Sequence, residues 1–190
     1  MGYYDSEENV QQYIAMAEGY DGRDLVTILA QHLPAGSTVL ELGMGPGKDL
    51  VLLGEHFQVT GSDSSPVFVE RYRTAFPAAD VLLLDAVTLE TDRRFDAIYS
   101  NKVLYHLSRQ ELAQSFQRQA EVLNANGILL HSFWLGEGEE DFSGLRSVYY
   151  TEESLREVIG EEYEVIEFGS YLEMEPDDSC YVVLKKRTRS

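Results

Sequence analysis

A chain of 190 residues, 44% of them apolar, holds enough material for one packed core and is short for two. Thirty-three Asp and Glu against 15 Lys and Arg give a formal charge of −18, which argues against a nucleic-acid partner, since such binding relies on Lys and Arg displacing counterions. One cysteine, Cys180, excludes an intrachain disulfide, the acidic N-terminus is no secretory signal, and no apolar run is long enough to cross a bilayer, so a cytoplasmic protein is expected.

Met1-Gly2 followed by Ser6 fits a loose N-acylation pattern, but no basic cluster lies nearby to support an anchor, and no membrane partner is expected. "SEENVQQYIAMAEGY" and "DGRDLVTILAQHL" then read as two helices, the second with Asp21 and Asp24 near its start and a stop at Pro34 to Gly36. "STVLEL" is a short buried strand, "KDLVLLGEHF" a helix and "QVTGSD" a second strand. "SPVFVERYRTAF" is a helix with Ser65 as N-cap and Pro66 in its first turn. "DVLLLD" and "RFDAIYS" are strands, "RQELAQSFQRQAEVLN" a long amphipathic helix and "GILLHSFW" a fifth strand. Residues 136–178 carry fifteen acids against two arginines, read as a solvated loop and surface, with a helix at "TEESLREVIG". "YEVIEFGSY" and "CYVVLKKR" close the chain as two strands joined by turn residues.

Strands alternating with helices of ten or so residues imply βαβ units and a mainly parallel sheet covered on both faces. The last two strands lack a helix between them and are expected as an antiparallel hairpin at one edge. Without internal repeat or low-complexity linker, residues 1–190 read as a single α/β domain.

Between the first strand and its helix stands "ELGMGPG", with Gly43, Gly45 and Gly47 at every second position. A glycine-rich turn at the carboxyl end of a strand lets a ligand approach the backbone closely, and the following helix start carries partial positive charge. Dinucleotide folds use G-x-G-x-x-G there to hold a pyrophosphate. The spacing here is G-x-G-x-G, and Glu41 stands two residues before the first glycine, where a carboxylate opposes a pyrophosphate and suits a ligand carrying ammonium and sulfonium groups.

This loop resembles the E/D-x-G-x-G-x-G of class I S-adenosylmethionine-dependent methyltransferases, and the likeness continues in order through "VTGSDSSPVFVERYR", "LLLDAV" and "FDAIYSNKVLYHL". It covers roughly residues 36–134 and, more loosely, the whole chain. It implies a Rossmann-like three-layer sandwich with a seven-stranded, mainly parallel sheet, and S-adenosyl-L-methionine as cofactor. Within it, residues 1–34 would form a helical lid region, 36–134 the cofactor-binding core, and 135–190 an acceptor-side insertion with the C-terminal hairpin. By the same resemblance Asp63 would hold both ribose hydroxyls, with Ser64 beside it. A bidentate carboxylate suits a vicinal diol. Asp85 would meet the adenine amino group and the Ala86 backbone its ring nitrogen, unless Asp85 only caps a turn. Ser100 and Asn101 would border the methionine moiety, and Tyr13, on a lid helix shared with Tyr4 and Tyr20, would face the cofactor.

The acceptor side carries fewer signals. His106 is a candidate general base or a residue that orients its loop. Tyr105 and Trp134 would wall the acceptor pocket or pack in the core. Arg146, Tyr149 and Tyr150, in the insertion before "TEESL", are candidate acceptor contacts, Arg146 alternatively pairing with a nearby glutamate. The turn "SNKV" is not the [D/N]-P-P-[Y/F] of amino-methylating DNA enzymes, and Cys180 lies in the last strand, away from any cytosine chemistry. Neither His106 nor His131 has the neighbours of a metal site. Tyr181 and Lys185 match Y-x-x-x-K, but four residues along a strand put them about 13 Å apart. A small-molecule acceptor is favoured, with a protein methyltransferase, a non-catalytic S-adenosylmethionine-binding protein and an NAD(P)-dependent oxidoreductase as alternatives. Nothing in the sequence sets an oligomeric state.

Overall fold

A computed structural model describes residues 3–188 apart from Ser143, so the Met1-Gly2 pair of the acylation pattern lies outside the described residues. After a 3-10 turn at Tyr3–Asp5 come helices α1 (Glu7–Met16) and α2 (Arg23–His32). The alternating part runs β1 (Thr38–Leu42), α3 (Lys48–Gly54), β2 (Gln58–Asp63), α4 (Pro66–Ala75), β3 (Val81–Leu83) and β4 (Phe95–Ser100). It continues through α5 (Arg109–Val122) and β5 (Leu123–Trp134). Strands β6 (Glu139–Phe142) and β7 (Leu145–Val148), helix α6 (Glu152–Val158), β8 (Tyr163–Tyr171) and β9 (Ser179–Lys186) complete the chain.

Seven strands form one sheet in the order β3-β2-β1-β4-β5-β9-β8. The five strands from β3 to β5 pair in parallel, and β9 enters antiparallel between β5 and the edge strand β8. This is the Rossmann-like sheet with an antiparallel C-terminal hairpin. The chain leaves β1 towards β2 on one side and returns to β4 on the other, which opens a crevice at the carboxyl ends of β1 and β4.

The strands read as apolar runs because both faces are covered. Along β1, Leu40 and Leu42 face a core shared with Leu112 and Phe116 of α5, while Val39 faces Leu25 and Leu29 of α2. Local signals set the helix starts: the Ser65 hydroxyl accepts from the Phe68 amide at 3.3 Å, and Ser108 with Glu111 closes a capping box on α5. No helix among the described residues is long and apolar enough to cross a membrane.

Two differences from the sequence expectation follow from local geometry. Strand β5 begins at Leu123 rather than Gly127, with a register shift against β4 and Asn126 at a φ of 61°. The acidic loop after β5 contains the β6–β7 hairpin, paired Glu139↔Val148 to Phe142↔Leu145. Its first strand, Glu139-Glu140-Asp141-Phe142, has no apolar alternation to announce it.

Candidate active site

A cavity of about 350 Å³ opens at the crevice between β1 and β4. One half is built from strand ends. Glu41, Gly43 to Pro46 of the glycine loop, Asp63, Ser64, Asp85 and Ala86 line it, and Tyr3, Tyr4, Tyr13 and Phe68 cover it. The other half is lined by Asn101 to Val103, Tyr105 to Leu107, Trp134, Leu145, Glu173 and Met174, which come from the β4–α5 and β8–β9 connections, the end of β5 and the start of β7.

The three glycines have different work. A Cβ on Gly43 would overlap the Val103 side chain, and one on Gly47 would overlap the ring of Tyr72, so both permit close packing. Gly45 lines the cavity at a φ of 49°, and a Cβ there would meet only the Tyr13 ring, 3.5 Å away. Asp63 fixes this loop: one carboxylate oxygen accepts from the Gly45 amide at 2.9 Å and the other from the Ser65 amide at 2.8 Å. Burial raises the Asp63 pKa, against the opposing pull of those amides and that of Ser64.

Glu41 is 3% exposed and its Oε2 has no hydrogen-bond partner among the described residues. Burial, with Asp49 and Asp63 adding like-charge repulsion, pushes its carboxyl well above the usual range. An orphaned carboxylate oxygen on a cavity wall suits a cationic group and opposes a pyrophosphate. Asp49 is a site residue that the sequence reading passed over. It accepts from the Gly22 amide at 2.7 Å, the Tyr99 hydroxyl at 2.7 Å and the Asn101 amide nitrogen at 3.0 Å. Neighbouring Lys48 donates to the Ala17 and Tyr20 carbonyls at 2.6 and 3.3 Å, tying the segment after α1 to the loop. Both residues look like an ordinary polar helix start in sequence; their contacts 27 to 52 residues away give them their roles.

Asp85 and Ala86 both line the cavity, and one Asp85 oxygen also accepts from the Val87 and Thr88 amides at 2.8 and 3.0 Å, capping the turn after β3. The N-terminal segment packs as an aromatic cluster, with Tyr13 edge-on to Tyr4 at 5.4 Å and to Phe68 at 5.9 Å. The Tyr4 carbonyl accepts from the Ser65 hydroxyl at 2.5 Å. Desolvation in this cluster raises the Tyr13 hydroxyl to about 12, so it acts as a neutral donor.

Several expectations need correction. Ser100 is fully buried, and its hydroxyl donates to the His131 Nδ1 at 2.8 Å rather than bordering the cavity. As the last residue of β4 it shares the face of Ile98, so strand alternation turns it towards α5. His131 in turn donates from Nε2 to Gln119 Oε1 at 2.8 Å, and burial drops its pKa to about 3. Tyr150 is wholly buried against Phe133, ring centroids 5.1 Å apart, because its amide bonds the Trp134 carbonyl at 3.0 Å and draws it under the sheet. Arg146 pairs with Glu111 at 3.5 Å and Tyr149 donates to Glu140 at 3.2 Å; neither lines the cavity. Gly47, packed on Tyr72, also lies behind the cavity wall.

His106, Tyr105 and Trp134 do line it. His106 stacks on Tyr105 at 3.9 Å between centroids, and its Nδ1 lies 2.7 Å from the Arg146 carbonyl. A carbonyl only accepts, so Nδ1 carries the proton and Nε2 keeps its lone pair. Burial lowers the His106 pKa, against the opposing effect of that carbonyl. The cavity also holds Lys102, the second residue missed in sequence: its ammonium sits 3.2 Å from the centroid of the Trp134 ring.

The parallel sheet switching direction at β1 and β4, with a glycine loop and a strand-end carboxylate beside the switch, is the arrangement of the class I S-adenosylmethionine-dependent methyltransferase fold. Residues 39–127 match the family model described as a methyltransferase domain. The cofactor of this class is S-adenosyl-L-methionine, and the orphaned Glu41 oxygen and the open Gly45 backbone fit it. The chain is 37% identical over 78 residues to a trans-aconitate 2-methyltransferase of Methylobacterium radiotolerans, covering 40% of this chain and 30% of that protein. The matched segment thus spans about a third of the length of that curated relative. In fold it is similar to an S-adenosylmethionine-dependent methyltransferase from Clostridium acetobutylicum, with a TM-score of 0.76 at 12% identity over 93% of this chain and 98% of that one. The N-methyltransferase NodS of Bradyrhizobium japonicum, solved with S-adenosyl-L-homocysteine, gives a TM-score of 0.72 at 16% identity over 95% of this chain and 98% of that one.

Proposed function

We propose that this protein transfers a methyl group from S-adenosyl-L-methionine to a small-molecule acceptor. The observation that carries the reading is the two-part cavity: a carboxylate-lined half with open backbone at Gly45 continues into an aromatic half that contains a free histidine nitrogen. In this reading the open backbone at Gly45 admits the cofactor, Asp63 accepts from the ribose hydroxyls, and Asp85 with Ala86 meets the adenine. Glu41 and Asn101 flank the methionine part, and Tyr13 with Tyr4 closes over it. When bound, the cofactor supplies a methyl group already activated by a sulfonium. The chain's own task is to position an acceptor and, for a hydroxyl or protonated amine, to take its proton. His106 Nε2 is that base, with Nδ1–H held by the Arg146 carbonyl and Tyr105 and Trp134 as walls.

The test is calorimetric titration with S-adenosylhomocysteine and, separately, with NADH and NADPH. Micromolar binding of the first alone supports the reading. Binding of a dinucleotide would replace it with an oxidoreductase. Homocysteine-product binding without methyl transfer to any small acid, amine or alcohol, or with transfer to a protein, would redirect it to a binding protein or a protein methyltransferase.

A further inference from the structure

Among the described residues that line the cavity the fixed cations are Lys48 and Lys102, and Lys48 is already bonded to two carbonyls at the lid end. Lys102 stands at the other end. Its side chain is 11% exposed, its ammonium donates to the Ser179 hydroxyl at 2.6 Å, and it lies over Trp134. The Glu173 carboxylate forms an ion pair with it at 3.7 Å, a separation longer than a good hydrogen bond. An ammonium has three donors, and here one neutral hydroxyl and one ring face are its close partners. The backbone holds Lys102 at a φ of 53°, with its amide bonded to the Ser132 hydroxyl at 2.9 Å. A long side chain in the left-handed region is uncommon, and such strain collects at functional sites.

We propose that Lys102 forms an anion subsite, so that the acceptor is a molecule carrying a carboxylate, which docks on the Lys102 ammonium beside Trp134 and Tyr105. This deepens the methyltransferase reading and rests on it. Glu173 serves as the stand-in partner when no acceptor is present, and its loop is built for that: the Asp178 carboxylate accepts from the amides of Glu173, Met174 and Glu175 at 2.9 to 3.0 Å. Burial pulls the Lys102 pKa down to about 8, with Glu173, Asp178 and Cys180 restoring only part of it, the signature of a cation whose compensation is incomplete. The titratable groups facing it are Glu173 and Asp178 from the β8–β9 connection, Tyr171 from β8 and Cys180 from β9. Burial raises Tyr171, and it pushes Cys180 up to about 12, so neither changes charge near pH 8. An anion stabilises the protonated amine, so its affinity should fall as pH rises through about 8.

The experiment is calorimetry on the protein saturated with S-adenosylhomocysteine, with three probes: trans-aconitate, its neutral trimethyl ester, and benzylamine. The subsite predicts that trans-aconitate binds, that the ester does not, and that Lys102→Met weakens the acid by about tenfold or more with homocysteine-product affinity unchanged. Lys102→Arg should retain binding, Glu173→Gln should strengthen it, and the pH 7 to 9 decline should vanish in Lys102→Met. Methionine at this position carries the same backbone strain as lysine, and a melting curve confirms that it folds. Acid binding that ignores Lys102, no acid binding at all, or binding of benzylamine instead overturns the proposal. Absence of homocysteine-product binding to the wild type removes the methyltransferase reading itself, and the subsite falls with it.

Discussion

The two halves of the cavity are made in different ways. The cofactor half is backbone and strand ends: Glu41, Gly45, Asp63 and Asp85 each sit at or just past the carboxyl end of a parallel strand, and amides fix the Asp63 and Asp85 carboxylates. The acceptor half is side chains from distant connections, held by bonds such as His106 to the Arg146 carbonyl, 40 residues apart, and Lys102 to Ser179, 77 apart. The first is pre-set by the topology of the sheet. The second depends on how an irregular hairpin and two loops dock, which leaves it free to vary between proteins that share the first.

The largest effects should come from the glycine loop. Gly45→Val should abolish S-adenosylhomocysteine binding, since the side chain enters the open backbone and the φ of 49° adds about 1–2 kcal/mol of strain. Gly47→Ala is the contrast: its Cβ overlaps Tyr72, so the melting temperature should drop more than affinity. Equal effects on both readouts at both positions would show that the two glycines do the same job. In the acceptor half, His106→Gln should lower kcat by about 10²–10⁴ while leaving homocysteine-product affinity unchanged. Because its pKa lies below the ordinary 6.5, His106 is neutral at pH 7, and the activity of the wild type should hold steady from pH 8 down past 6.5 before falling. Loss centred above that value would point to another base. Asp63→Asn comes next, weakening the homocysteine product by about 1.5–3 kcal/mol, read by calorimetry.

The same contrast explains what was legible in the sequence. Glu41, Gly45 and Asp63 lie in short contiguous stretches that read as a strand followed by a turn, so "ELGMGPG" and "GSDSSP" could be placed on the fold at once. The mainly parallel sheet, the Ser65 cap and the C-terminal hairpin followed from the alternation of elements, cap residues and the missing helix in the same way, whereas the strand order came only with the fold. Ser100 was misplaced because one step along a strand reverses the face, and only the packed sheet says which face meets α5. Tyr150 resembled a pocket tyrosine until its bond to the Trp134 carbonyl drew it under β5. Lys102 was visible as a letter in "SNKV", yet its meaning lies in Trp134, Glu173 and Ser179, which no local pattern connects to it.

The smallest expected effect tests whether the cofactor half is also electrostatically pre-set. Glu41 has its pKa raised chiefly by burial, with Asp49 and Asp63 adding repulsion; Tyr99 and Tyr72 also lie within its field. A carboxyl that binds its proton more tightly folded than unfolded contributes stability that is complete below the ordinary value of 4.5 and is lost as pH rises through the folded value. Glu41→Gln, which cannot ionise, should therefore gain melting temperature over the wild type as pH rises above that range. A cationic amino group beside Glu41 favours the ionised form and lowers its pKa again, so binding of S-adenosylhomocysteine should release protons. Calorimetry in two buffers of different ionisation enthalpy reads that release directly, and it should disappear in Glu41→Gln. Were proton release to persist in the variant, the orphaned oxygen would not be the partner of the amino group.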